Sequence, residues 1–121
     1  MYNEKVIEYA KNPRNQGGMD NPDAVGEISN PDCGDATTIF LKVENNIIVD
    51  VKFDTFGCAA AVATSSKLTE MVKGKSIDDA LEITDEMVAD ELGGLPLKKM
   101  HCSNIGIDAL REAIKEYKEN N

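Results

Sequence analysis

The sequence has few of the features that would direct a protein to nucleic acid or to a membrane surface. Its 121 residues include only 13 Lys and Arg against 22 Asp and Glu, which gives a net charge of −9. An acidic chain without clusters of basic residues is repelled by phosphate backbones and by anionic lipid. We therefore exclude nucleic acid and membrane surfaces as expected partners.

Long apolar runs and an export signal are also missing. The longest uncharged stretch, residues 55–66, has 12 residues, whereas a membrane-spanning helix needs about 20. No basic region followed by an apolar run stands at the N-terminus, so no secretory signal is predicted. Three cysteines cannot form a complete set of internal disulfides, because the number is odd. We expect reduced thiols and a cytoplasmic protein.

The length allows a single domain with one core, residues 1–121. A short amphipathic helix in the first ten residues precedes a turn-rich segment, residues 13–22, and we expect this helix to be loosely attached. Strands come next and helices after them, which predicts an α+β domain of two layers. The strands are predicted at residues 24–28, 37–44 and 47–56 as a three-stranded antiparallel meander, with a tight hairpin at Asn45 and Asn46.

Periodicity assigns faces to these elements. In the third strand, one alternating set of residues is apolar and the other is mostly polar, as expected for a half-buried strand. The apolar set is Ile47, Val49, Val51 and Phe53. A helix then follows with a stripe at Ala61, Ser65, Leu68 and Val72, ending near Gly74. Ser76 and Thr84 are predicted to cap two short helices.

All three cysteines and the only histidine stand at junctions between predicted elements. Cys33 and Asp35 flank Gly34, so in an extended segment their side chains face the same side and the backbone can approach a metal. Cys58 lies in the first turn of a predicted helix, a position that favours a thiolate. We expect His101 and Cys102 to open the last helix in the same way. Together these residues offer soft metal ligands, one more than a tetrahedral metal needs.

Each of these residues also has an ordinary structural interpretation. A lone cysteine is usually a small buried hydrophobe, Asp35 suits a turn, and a lone His101 suits a helix start. Cys33 and Cys58 are 25 positions apart and Cys58 and His101 are 43 apart, with no CxxC pair. Spacing alone therefore supports a metal site only in part. We interpret Lys98 and Lys99 as solvated surface, and the methionines 71, 87 and 100 as core residues.

Four motifs, spread over nearly the whole chain, resemble the IscU/NifU family of iron–sulfur cluster scaffolds. Gly93-Gly94-Leu95-Pro96 together with Lys99-Met100-His101-Cys102 is most similar to the scaffold domain of NifU, and the resemblance implies the stand-alone form. The motifs are Tyr2-Asn3-Glu4-Lys5-Val6-Ile7 continuing to Asn12-Pro13-Arg14-Asn15, Cys33-Gly34-Asp35, Phe56-Gly57-Cys58-Ala59-Ala60-Ala61, and Leu95-Pro96-Leu97-Lys98-Lys99-Met100-His101-Cys102-Ser103.

The resemblance implies a three-stranded sheet with helices packed on one face and a cluster site at one end. By position, the cluster ligands are Cys33, Asp35, Cys58, His101 and Cys102. A 2Fe-2S cluster would be assembled there from iron and persulfide sulfur and then transferred to apo-proteins, so the protein is expected not to be an enzyme. The implied partners are a pyridoxal-phosphate cysteine desulfurase, donors of iron and electrons, and apo iron–sulfur acceptors.

Two segments separate this chain from relatives within that resemblance. Family members served by a dedicated heat-shock chaperone carry Leu-Pro-Pro-Val-Lys before the His-Cys pair, whereas Leu97 and Lys98 interrupt that motif here. Recognition by such a chaperone is therefore not expected. The SufU type lacks the histidine and carries an insertion, so the presence of His101 sets that type aside.

Several alternatives stay open at this level. Either Asp35 or His101 would be the fourth ligand, and exchange between them would gate cluster release. Cys102 is our preferred persulfide acceptor and Cys58 is the other candidate. A small zinc-binding module is the main rival, because Asp, Cys and His form a good zinc site, and zinc can also occupy a true scaffold. A Cys-His-Asp hydrolase is a weaker rival. Either a monomer or a homodimer is compatible with the sequence.

Overall fold

The computed structural model describes the backbone of residues 3–30, 35–94 and 97–119, with the side chains in those ranges except 30, 35 and 97–104. No helix within the described part is long and apolar enough to cross a membrane. In chain order the elements are α1 (Glu4–Lys11), β1 (Ala24–Asn30), β2 (Asp35–Glu44), β3 (Ile47–Phe56), α2 (Ala59–Val72), α3 (Ile77–Ala80), α4 (Asp85–Glu91) and α5 (Leu97–Glu119).

The sheet has the order β1-β2-β3, and both strand pairs are antiparallel. The predicted meander is confirmed. Asn45 and Asn46 connect β2 to β3 with φ of 52° and 66°. Both lie in the left-handed region that asparagine tolerates better than most residues, as a two-residue hairpin requires. We call the end of the sheet that carries this turn the hairpin end.

A bulge in β3 changes the predicted burial pattern. Lys42 pairs with Asp50 but Val43 pairs with Ile48, so Val49 is an extra residue on β3. Because such a residue reverses the alternation of faces, Ile48 is fully buried and Val49 is 38% exposed. The prediction that Val49 shares a buried face with Val51 and Phe53 was therefore wrong.

Helices α2 and α5 pack against one face of the sheet and enclose the core. Most inward-facing strand residues are buried, whereas alternate residues are not: Lys52 is half-buried and Asp54 is exposed. At Gly26 on β1, a Cβ atom would overlap the backbone of Ala109 and Ala113 on α5. The two backbones therefore touch where no side chain fits between them. Core residues contributed by the sheet and α2 include Ile39, Leu41, Ile48, Val51, Phe53, Leu68 and Val72.

Helix α1 is firmly attached, contrary to the prediction. Val6 is fully buried against the core. The following loop runs beside β3, since the Phe53 N–H donates to Asn15 O at 2.9 Å and the Gly17 N–H donates to Phe53 O at 2.8 Å. The Arg14 N–H also donates to Ser66 Oγ on α2 at 2.7 Å. The turn-rich loop is therefore an ordered segment along the edge strand β3, because its backbone groups pair with that strand and with α2.

The short helices begin where the sequence predicts. The Ser76 hydroxyl accepts from the Asp79 N–H at 3.1 Å, and the Thr84 hydroxyl accepts from the Met87 N–H at 3.2 Å. Both residues are therefore N-caps of the usual kind. Met87, however, is 44% exposed, so its assignment to the core was wrong: it lies on the outer side of the first turn of α4.

Candidate metal centre at one end of the sheet

Cys58 stands at the turn from β3 into α2, as the sequence predicts. It is the N-cap of α2 with extended backbone angles, φ −74° and ψ 170°, and it is half-buried. Its carbonyl accepts from the Val62 N–H at 3.1 Å. Its side chain makes no capping hydrogen bond, and the first turn of α2 contains no acidic residue. The start of α2 thus lacks both the usual side-chain cap from its N-cap residue and a first-turn acid.

Asp35 lies at the same end of the sheet as Cys58. It is the first residue of β2 and pairs with Asn30, the last residue of β1. The next residue, Ala36, pairs with Phe56 at the end of β3, two residues before Cys58. We call this end of the sheet, where β2 starts and β3 ends, the ligand end, because the predicted ligands Asp35 and Cys58 lie there. Cys33 lies outside the described residues.

His101 and Cys102 lie inside α5 rather than at its start. The helix begins at Leu97, so both positions fall in its second turn. The prediction that they open the last helix was wrong, because the apolar periodicity from Ile107 onward does not reveal the polar first turns. The charge effect of a helix N-terminus fades beyond the first turn. That argument for Cys102 as sulfur acceptor therefore no longer holds.

The packing of α5 shows which way it runs. Ala109 and Ala113 cross β1 at Gly26, which pairs with Ile39 near the middle of the sheet. Gly106 lies closer to the helix start and packs on α2, where an added Cβ would be 3.1 Å from Ser65 Oγ.

Ser65 in turn contacts Thr55, one residue before the end of β3, because its hydroxyl accepts from the Thr55 hydroxyl. The N-terminal turns of α5 therefore point toward the ligand end. The backbone in this way carries positions 35, 58, 101 and 102 to one end of the sheet.

Sequence reasoning missed a set of hydrogen-bonded hydroxyl groups just inside the ligand end. Thr37 Oγ1 lies 3.1 Å from Thr55 Oγ1, and the Thr55 hydroxyl donates to Ser65 Oγ at 3.2 Å. These residues occupy positions where the strand and helix patterns call for apolar side chains. A polar residue at an inward-facing position was the available signal.

No group of three His, Cys, Asp or Glu residues close enough to hold a metal occurs among the described side chains. Of the five predicted ligands, Cys58 alone has a described side chain. The side chains of Lys98, Lys99 and Met100 also lie outside the described set, so the interpretations given to them stay predictions.

The structure is a small α+β domain in which a three-stranded antiparallel sheet is covered by helices on one face, with Cys58 at the turn from β3 into α2. The whole chain, residues 1–121, matches the family model of the NifU-like N terminal domain. The protein belongs to this family.

Named relatives agree with that assignment. Over 117 residues the chain is 58% identical to the iron–sulfur cluster assembly scaffold protein IscU 1 of Archaeoglobus fulgidus, covering 97% of this chain and 76% of the relative. Over 118 residues it is 52% identical to the IscU scaffold protein of Aquifex aeolicus, covering 96% and 75%.

A solved structure shows the same fold. A protein from Fervidobacterium islandicum AW-1, described as an iron–sulfur cluster assembly scaffold for the SUF system, superimposes with a TM-score of 0.78 at 25% identity. The alignment covers 93% of this chain and 96% of that one. The predicted fold class, α+β with a three-stranded antiparallel sheet, is confirmed.

Proposed function

We propose that this protein is a scaffold on which an iron–sulfur cluster is assembled and from which the cluster passes to apo-proteins. The observation that carries the proposal is its 58% identity to a protein named as such a scaffold. The backbone supports it independently, since it brings positions 35, 58, 101 and 102 to the ligand end.

In this proposal the cluster is cargo held by Cys33, Cys58 and Cys102 as thiolates. The fourth position is taken by Asp35 or His101, each a harder and weaker iron ligand than a thiolate. With neutral His101 a 2Fe-2S core of charge +2 has a net charge of roughly −1, and with Asp35 it has roughly −2. Exchange between the two donors thus changes the charge of the bound cargo and favours its release.

The start of α2 suits such an anionic cargo. Its first-turn N–H groups receive no side-chain cap from Cys58, and no acidic residue occupies that turn. A helix N-terminus attracts anions through its first N–H groups and its dipole. A negatively charged cluster or a persulfide at position 58 would therefore lie where the backbone stabilises it.

Sulfur is expected to arrive as a persulfide on a cysteine desulfurase. A thiolate of the scaffold attacks the outer sulfur, the S–S bond breaks, and the desulfurase cysteine leaves as a thiolate. The scaffold then carries the persulfide, and separate donors supply iron and the electrons that reduce this sulfur to sulfide. Cys102 and Cys58 both remain candidate acceptors. Labelled persulfide transferred to Cys58→Ser but not to Cys102→Ser would assign the role to Cys102, and the reverse pattern to Cys58.

Reconstitution tests the proposed function directly. The purified protein is incubated anaerobically with iron, cysteine and a cysteine desulfurase, and absorbance is followed before and after addition of an apo-ferredoxin. We expect a red-brown chromophore that forms on the scaffold and moves to the ferredoxin, with Cys58→Ser as the matched variant that fails to load. Tightly held zinc with no transferable chromophore would overturn the proposal in favour of a zinc module.

We further propose that zinc binds the same donors when iron and sulfide are absent, because the set contains thiolate, imidazole and carboxylate ligands. A reducing compartment such as the cytoplasm is the setting in which these thiols stay available. Zinc content of the protein as purified, compared with that of Cys58→Ser, measures this occupancy, and equal zinc content in both would count against it.

A further inference from the structure

Three hydroxyl groups form a continuous hydrogen-bonded chain across three elements at the ligand end. Thr37 on β2 contacts Thr55 on β3 at 3.1 Å, and Thr55 donates to Ser65 on α2 at 3.2 Å. Because a hydroxyl has a single proton, Thr55 accepts from Thr37 while it donates to Ser65. Thr37 and Ser65 are fully buried. We call these three residues the hydroxyl chain.

Each member lies a short distance along the backbone from a proposed ligand. Thr37 is two residues after Asp35, and Thr55 is three residues before Cys58. Ser65 belongs to the helix that begins after Cys58. The hydroxyl chain therefore spans the elements that bring two ligand positions to the ligand end.

Helix α5 joins the same arrangement through a glycine. Gly106 lies one helical turn after Cys102, and an added Cβ would be 3.1 Å from Ser65 Oγ and 3.6 Å from its Cα. The absence of a side chain lets α5 approach Ser65 closely. At this level α5 therefore lies close against a member of the hydroxyl chain.

Stability alone does not account for these residues. An apolar pair of the same shape can replace a buried hydrogen-bonded pair with little change in the free energy of unfolding. Neighbouring inward-facing positions on the same strands are in fact apolar, namely Ile39 on β2 and Phe53 on β3. A hydrogen bond differs from apolar packing in that it fixes distance and direction.

We propose that Thr37, Thr55 and Ser65 are positioning residues for the metal ligands. By fixing the spacing of β2, β3, α2 and, through Gly106, α5, they hold the ligand positions at the separation that the bound metal requires. This inference rests on the proposed function, because it assigns the ligand end as the metal site. Residues outside the ligand shell that orient the ligands commonly affect metal affinity by 10–100-fold.

Thr55→Val is the informative variant, because valine keeps the shape and removes both hydrogen bonds. Thr64→Val is its matched control. Thr64 is a buried threonine whose hydroxyl donates within α2, to Ala60 O at 2.7 Å and Ala61 O at 3.2 Å. Among the described residues, these bonds link Thr64 to no other element. Thr55→Ser keeps the hydroxyl and serves as the conservative rescue.

Anaerobic titration with Co²⁺ measures the ligand geometry without requiring cluster assembly, since thiolate-bound Co²⁺ has visible absorption bands that depend on coordination. For Thr55→Val we expect about tenfold weaker Co²⁺ binding with altered bands. Thr64→Val and Thr55→Ser should stay within about twofold of wild type. In reconstituted protein, the half-life of the cluster should follow the same order.

The inference is overturned if Thr55→Val binds Co²⁺ with wild-type affinity and bands, or if Thr64→Val loses as much affinity as Thr55→Val. Should Thr55→Val fail to fold by circular dichroism, Thr37→Val is judged by the same criteria. If Thr55→Val binds Co²⁺ more weakly than wild type and Thr64→Val, but the wild-type protein assembles no cluster, the proposed function is refuted and the positioning role is supported. If the wild-type protein binds neither Co²⁺ nor a cluster, the ligand set and the positioning role are both overturned.

Discussion

The two ends of the sheet are built differently. At the hairpin end, Ile48 and Ile77 are fully buried and Ser76 caps α3. Backbone groups close this end, because the Ile48 N–H donates to Lys75 O at 2.8 Å and the Ile77 N–H donates to Asn46 O at 3.0 Å. Apolar burial, a side-chain cap and paired backbone therefore all act in the same direction here.

At the ligand end, inward-facing positions are polar and the helix start lacks a side-chain cap. The hydroxyl chain occupies inward-facing positions, and α2 begins at Cys58 without a side-chain capping bond. Departures from the usual stabilising pattern tend to gather at functional sites. The hairpin end thus supplies stability, whereas the polar, uncapped ligand end is suited to the metal site proposed there.

The largest expected effect is at the hairpin end. Ile48→Ala should lower the free energy of unfolding by about 2–5 kcal/mol, because it removes a fully buried side chain and leaves a cavity. Urea unfolding of the metal-free protein measures this loss. Val49→Ala, one residue away on the exposed side of the bulge, should change it by less than about 0.5 kcal/mol. Similar losses in the two variants would contradict the bulge and its reversal of faces.

Exchanging the caps should move stability in opposite directions at the two ends. Ser76→Ala should cost about 0.5–2 kcal/mol, since it removes the acceptor for the Asp79 N–H. Cys58→Ser should raise the free energy of unfolding by about 0.5–1 kcal/mol, since serine is a favoured N-cap. The same variant should lose cluster loading.

Thermal unfolding of the metal-free protein measures the stability change in Ser76→Ala and in Cys58→Ser. Ser66→Ala on α2 is a further variant, which removes the hydroxyl that accepts from the Arg14 N–H. A Cys58→Ser protein that is less stable than wild type by as much as Ser76→Ala would refute the view that the start of α2 forgoes a cap.

A smaller effect is expected where α1 meets the segment leading to α5. Asn3 Oδ1 accepts from the Val6 N–H at 3.0 Å, and Asn3 Nδ2 donates to Gly94 O at 3.2 Å. Asn3→Ser keeps a capping oxygen but loses the bond to Gly94. We expect a loss of at most about 1 kcal/mol and faster amide hydrogen exchange around residues 92–94. Exchange rates there that match wild type would show that the bond to Gly94 does not restrain this segment.

The smallest effect is expected at the turn itself. Asn46→Gly should change stability by less than about 0.5 kcal/mol, because glycine relieves the left-handed conformation but gains freedom in the unfolded state. Urea unfolding again measures it. Asn46→Val, which cannot adopt positive φ easily, is the contrasting variant and should lose about 1 kcal/mol or more. Equal stability of the glycine and valine variants would contradict the turn geometry.

The fold was predictable from sequence because its signals are local and repeated. The third strand, Ile47–Phe56, was predicted with the boundaries that the structure has, and so were the helix starts at Ser76 and Thr84. Period-two and period-3.6 patterns and capping residues each depend on a few neighbouring residues. They identify elements even without any knowledge of their partners.

Features that depend on distant partners escaped prediction. The bulge at Val49 depends on register with β2, and the attachment of α1 depends on backbone bonds from Asn15 and Gly17 to Phe53. At the candidate site, the sequence placed Cys58 correctly but put the start of α5 too late at His101. The hydroxyl chain was missed because a threonine on a strand is read first as a β-branched residue.

Because α5 contacts β1 at Gly26 near the middle of the helix, a tilt about this contact moves the two ends of α5 in opposite directions. The helix runs from Leu97 to Glu119, and its backbone touches β1 at Ala109 and Ala113. Position 101 lies about 12 Å from this point at 1.5 Å of rise per residue, so a tilt of about 5° would displace it by about 1 Å. A push at the far end of α5, where Lys118 pairs with Asp78 at 3.7 Å, would thus displace the turn that contains positions 101 and 102 in the opposite direction.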